Sequence, residues 1–175
     1  MKKSLPFWQF VGFVFTGVFG TLLHFLYDWA DNNFLALFSA VNESIWEHMK
    51  LLFFPMFVFA IFQSRCFAKN YDNFWCAQLI GILTGLAVIP TVYYTYTDAL
   101  GVSADWFNIL IFFIAAAIGF IIETHFMKIE KNFCKSPVLA IIILCIIAIL
   151  FFVFTFAPPK IPLFEDPITK TYGLI

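Results

Sequence analysis

Charge is what this sequence has least of. Only 12% of its 175 residues are charged and the net charge is -1, which excludes the basic surface that nucleic-acid binding requires. The four cysteines show no CxxC spacing, so a thiolate metal site is excluded. Histidine occurs three times and never as HExxH, which removes the commonest helical zinc signature. No repeat of about 20 to 50 residues is present, nor an inverted repeat of the kind that builds many carriers. What fills the sequence is apolar: 62% of the residues, 26 of them phenylalanine. A soluble core could not hide that much apolar surface, and the length suits one domain over 1–175.

Five segments are long and apolar enough to cross a hydrocarbon layer of about 30 Å, near 5–27, 44–64, 74–94, 106–127 and 137–156, with a tail over 157–175. The fold class is therefore an all-α membrane protein, a bundle of five transmembrane helices. Lys2 and Lys3 before the first run resemble a secretory signal, but the run is too long for one and reads as a retained helix. In the second segment the uninterrupted apolar run, Leu51 to Phe62, rises only about 18 Å. That helix must therefore begin before Glu47, which brings Glu47, His48 and Lys50 to headgroup level. Between the first two spans, Asp31 and Asn32 can start a short interfacial helix whose Phe34, Leu35, Leu37, Phe38 and Val41 follow helical spacing.

Five crossings put the termini on opposite sides. Lys2, Lys3, Arg65, Lys69, Lys128, Lys131 and Lys135 fall on the N-terminal side, against Lys50, Lys160 and Lys170 on the other. The positive-inside rule then places the N-terminus in the cytoplasm and the C-terminus outside, in a bacterial cytoplasmic membrane. Cys66, Cys76 and Cys134 map to the cytoplasmic side and Cys145 to the fifth helix, so no disulfide is expected. Gly81 and Gly85 form a GxxxG pair, a helix-contact stripe that could serve a homo-oligomer.

The ionisable residues gather at the outer face. His24 and Asp28 share one helix face, and Asn42, Glu43, Ser44, Trp46, Glu47, His48 and Lys50 surround the start of the second span. Adjacent Glu47 and His48 point about 100° apart and cannot easily hold one ion together. A metal site would take His24, Asp28 and either His48 or Glu47, a His/carboxylate set suited to zinc with an open position for water. The catalytic candidates are then Glu47, His48 and Lys50, and the ligand-binding candidates Asn42, Glu43, Tyr93 and Asn108. A structural reading stands beside this one: Ser44 and Glu47 match a capping box, Lys50 can pair with Glu47, and His24 with Asp28. His125 belongs to the opposite membrane face. Pro162 to Gly173, rich in proline and aromatics, suits a strap folded over the outer opening.

HxxxD at His24 and Asp28, NESxWEHxK from Asn42 to Lys50 and PLFxDPxTxxYG from Pro162 to Gly173 together resemble a family of small bacterial integral membrane proteins. That resemblance spans the chain and implies the membrane class but no reaction. HxxxD is also loosely similar to one motif of the membrane hydrolases that include alkaline ceramidases and progestin receptors, which have seven helices and a later HxxxH.

The functional reading is an outward-facing polar pocket that binds a metal ion or small polar ligand, with hydrolysis of a lipid or envelope molecule as its chemistry. The alternatives are a small ion-coupled carrier, with Glu47, Lys50 and Asn108 starting a polar path, or a non-enzymatic assembly subunit. All share one topology. A cysteine introduced as Thr169→Cys is expected to react with a membrane-impermeant thiol reagent in intact cells, and labelling only after permeabilisation would reverse the orientation.

Overall fold

Apolar runs of this length become helices because only helices satisfy their own backbone groups without water. In the computed structural model, which describes residues 4–101 and 103–174, five long helices result. They are α1 (Leu5–Ala30), α3 (Ile45–Phe67), α4 (Phe74–Leu100), α5 (Asp105–Met127) and α6 (Pro137–Phe156), with a single turn, α2 (Asn33–Ala36), between the first two spans. Each long helix has the length and composition to cross a membrane. Lys2 and Lys3, counted in the basic bias, lie outside the described residues.

The ends follow the expected chemistry with instructive departures. Ser44 caps α3, its hydroxyl accepting from the Glu47 amide at 3.4 Å, so the helix does begin before Glu47. The reciprocal half of the box is not made. Glu47 instead accepts from the Val41 amide at 3.1 Å, and Asn42 serves the Ser44 amide at 2.9 Å. Helix α4 continues past the expected Tyr94 to Leu100. Along its polar last turns Thr91, Thr95 and Thr97 satisfy their hydroxyls on the helix itself, donating to the carbonyls of Ala87, Thr91 and Tyr93.

Helix α3 is the centre of the bundle, with 61% of its apolar window buried against 22% for α1 and for α6. It packs on α1, α4 and α6, while α5 lies along α4 and α1. Gly81 and Gly85 allow the closest of these approaches. A Cβ on Gly81 would lie 2.7 Å from the Gly119 carbonyl oxygen, and one on Gly85 3.1 Å from that of Ala115. The helix-contact stripe read from sequence thus meets α5 within the chain.

The expectation of no disulfide is corrected: Cys76 and Cys134 are bonded. Asn73, just before α4, clamps the α5–α6 loop, donating to the Ile129 and Lys131 carbonyls and accepting from the Phe133 and Cys134 amides. That places Cys134 beside the first turn of α4, 5.6 Å from Cys76 between Cα atoms. A separation of 58 residues hides this contact from a reading based on spacing and compartment. Cys66 and Cys145 keep free thiols. Alkylation of the denatured, unreduced protein should block two thiols, and four after reduction; four before reduction would refute the bond.

Candidate metal centre and polar pocket

Three segments converge where α1 ends and α3 begins. His24 comes from the last turns of α1, His48 from the first turn of α3, and Glu43 from the loop just before the Ser44 cap. The Glu43 backbone is held by the tail, its amide facing the Asp166 carboxylate at 3.4 Å. Its side chain reaches between the two imidazoles, with Oε1 3.6 Å from His24 Nε2 and Oε2 3.5 Å from His48 Nε2. All three residues are half-buried, and one ligand atom from each lies within 4.8 Å of the others, so the cluster can chelate a metal ion.

The tautomer of His48 follows from its other nitrogen. Nδ1 lies 2.9 Å from the Ser44 carbonyl, which can only accept, so Nδ1 carries the hydrogen. Nε2 then meets the carboxylate either with a proton of its own or, in the neutral ring, with a lone pair that calls for a cation between them. A backbone partner on the distal nitrogen is also the arrangement that orients a metal-bound histidine. His24 Nδ1 is buried without a hydrogen-bond partner. Beside His24, and against burial, the Glu43 carboxyl is held below the usual carboxylate range.

The cluster opens into a cavity of about 440 Å³ lined by Gly20, Thr21, Phe25, Asp105, Asn108 and Phe112, with Ile168 of the tail at its edge. A neighbouring cavity of about 250 Å³ shares Glu43, His48, Asp105, Asn108 and Ile168 and adds Tyr93. The tail is the ordered strap that its composition suggested. Phe164 is buried against Trp46, Asn42 donates to the Gly173 carbonyl, and the Leu174 amide donates to that of Thr155. Burial acts to raise the Asp166 carboxyl, yet hydrogen bonds from the Ile168 and Thr169 amides outweigh it and hold the group below its usual range.

Not every residue singled out in the sequence meets the cavity. Asp28 is exposed, one turn beyond His24, and Glu43 is the carboxylate that lies between the two imidazoles. Asn42 serves the strap. The amide of Asn108 is engaged by the Tyr96 and Ser103 hydroxyls. Glu47 and Lys50 form a buried ion pair at 2.5 Å away from the cavity wall. His125 is exposed on the last turn of α5. Asp105 and Ile168 escaped the sequence reading, Asp105 because it reads as an ordinary acidic residue at a helix start.

The chain belongs to a family of unknown function, DUF6512, whose model matches residues 1–174. No curated protein and no solved structure matches the chain. Membership supplies no reaction, and the site must be read from its own geometry.

The ion pair beneath the cluster gives a stability prediction. Lys50 donates to the Ala36 carbonyl at 2.8 Å and to Thr155 at 3.0 Å, so removing its charge strands Glu47 and frees both neighbours. Lys50→Met should cost about 3–5 kcal/mol, read as a large fall in the thermal midpoint of the detergent-solubilised protein. A shift of under about 1 kcal/mol, the scale of an exposed pair, would mean that the pair is not buried.

Proposed function

We propose that this protein holds a divalent metal ion, zinc by ligand chemistry, on His24, Glu43 and His48, and uses it to hydrolyse an amphiphilic lipid or envelope molecule. The observation that carries the reading is a pair of distances. Nitrogen–oxygen separations of 3.5 and 3.6 Å are long for charge-assisted hydrogen bonds, which lie near 2.7–2.9 Å. Two ligands each about 2.0–2.1 Å from a tetrahedral zinc ion are roughly 3.3 Å apart, close to what is found.

Three protein ligands leave a fourth position for water, which a bound ion acidifies toward neutrality. In this reading Asp105, the other carboxylate on the cavity wall, takes the proton from that water. In hydrolysis of an ester or amide, Asp105 would hold that proton and return it to the departing alcohol or amine, while a bound ion would supply the Lewis acidity. Glu47, the base suggested by sequence, is occupied by Lys50 and acts through position alone. Phe25 and Ile109 line the cavity and are exposed on spanning helices, which gives it an opening toward the acyl layer. That opening supports a substrate with a polar head and a lipid tail.

The basic-residue bias supports an outward-facing site with the N-terminus in the cytoplasm. The Cys76–Cys134 bond counts on the other side, because disulfides persist in oxidising compartments. Labelling of Thr169→Cys decides between them.

Protein purified without chelator should contain about one zinc per chain by elemental mass spectrometry. His24→Ala, Glu43→Ala and His48→Ala should each lose most of it, and Asp28→Ala should keep it. Metal-free wild-type protein, or equal loss in Asp28→Ala, would remove the reading.

A further inference from the structure

Glu123 lies on the same helix as the cavity residue Asn108 but roughly 22 Å along it, toward the N-terminal face of the bundle. It is fully buried and takes no part in the metal pocket. Three buried glutamines from three other helices line up with it: Gln9 of α1, Gln63 of α3 and Gln78 of α4. Gln78 Nε2 donates to Gln63 Oε1 at 3.1 Å, Gln63 Nε2 donates to Gln9 Oε1 at 3.0 Å, and Gln9 Nε2 faces Glu123 Oε2 at 3.5 Å. The amide dipoles therefore run one way and end on the carboxyl. Its second oxygen, Oε1, is buried with no hydrogen-bond partner.

A group this placed needs a cation. Every side chain that faces it is an uncharged amide: α1 presents Gln9 and α4 presents Gln78, with Gln63 of α3 linking the two, and no described basic residue pairs with it. An uncompensated carboxylate inside a bilayer costs several kcal/mol, which a protein removes by neutralising the group. The space is closed as well. A Cβ on Gly81 would lie 2.2 Å from Glu123 Cγ, so α4 gives up its side chain there merely to admit the acid. A proton is the cation that needs neither a cavity nor a coordination shell.

We propose that Glu123, with Gln9, Gln63 and Gln78, is a proton-binding site, loaded and unloaded from the N-terminal membrane face. The last helical residue, Met127, is one turn away, about 6 Å, so that face is the nearer one, separated from the carboxyl by the buried cluster of Leu5, Phe67, Phe74 and Met127. The amide chain fixes the carboxyl among four helices, which ties its charge to their packing. The site is independent of the metal centre and stands or falls separately.

Infrared spectroscopy of the full-length protein in lipid nanodiscs tests it. At neutral pH the spectrum should show the C=O stretch of a protonated carboxyl, shifted by deuterium exchange and missing in Glu123→Gln. The band should bleach as pH is raised and return on re-acidification, as a reversibly titrating carboxyl requires. Gln9→Leu, which keeps the acid but removes the amide facing Oε2, should move the band to higher frequency and keeps the assignment testable should Glu123→Gln fail to fold. The proposal is overturned by a band absent from the wild type, retained in Glu123→Gln, unmoved in Gln9→Leu or resistant to titration until the protein unfolds. Bleaching by sodium at constant pH would overturn it too, by making the ligand a metal ion.

Discussion

The end of the bundle where α1 finishes and α3 begins depends on one buried ion pair. Glu47 and Lys50 sit three residues apart on α3 with almost no exposure, and an isolated charge of either sign there would be prohibitive. Their remaining hydrogen bonds therefore go to whatever surrounds them. Lys50 takes the Ala36 carbonyl at the end of α2 and the Thr155 hydroxyl of α6, while Glu47 takes the Val41 amide and faces the same threonine. One pair of charges thus fixes the linker between the first two spans and the end of the last span against α3.

The chelating cluster inherits its geometry from that arrangement. With Val41 tied to Glu47, the chain arrives at Ser44 in an extended conformation that starts α3, and Glu43 is left immediately outside the helix. The strap then secures it through Asp166 and Asn42, and Ser44 orients His48 through its carbonyl. Of these contacts only those to the helix start are local. The others cross more than 100 residues, as between Asn42 and Gly173 or Glu47 and Thr155.

The two polar clusters differ in what surrounds them. The His24–Glu43–His48 group opens to a cavity with room for an ion, water and a ligand head. Glu123 is enclosed by amides and by the α4–α5 contact, where Gly81 admits only the side chain itself. Chemistry needs the first kind of surroundings. Neutralisation by a proton suits the second, and the bundle places them at opposite ends of α5.

Sequence by itself determined the class, the five spans and the early start of α3, because these follow from apolar length and from the cost of unsatisfied backbone in lipid. It also placed His24, Glu43 and His48 at one membrane face, since depth is set by counting along each helix. It could not tell that Glu43, not Asp28, lies between the two histidines. Helical spacing favours Asp28, four residues from His24, whereas Glu43 reaches the imidazoles only once the strap and the ion pair have fixed its loop. For the same reason the tertiary structure alone joined Cys76 to Cys134 and aligned Gln9, Gln63 and Gln78 on Glu123. Each of those contacts joins different elements, and rotation of every helix about its own axis, which decides what meets what, is set by packing against its neighbours.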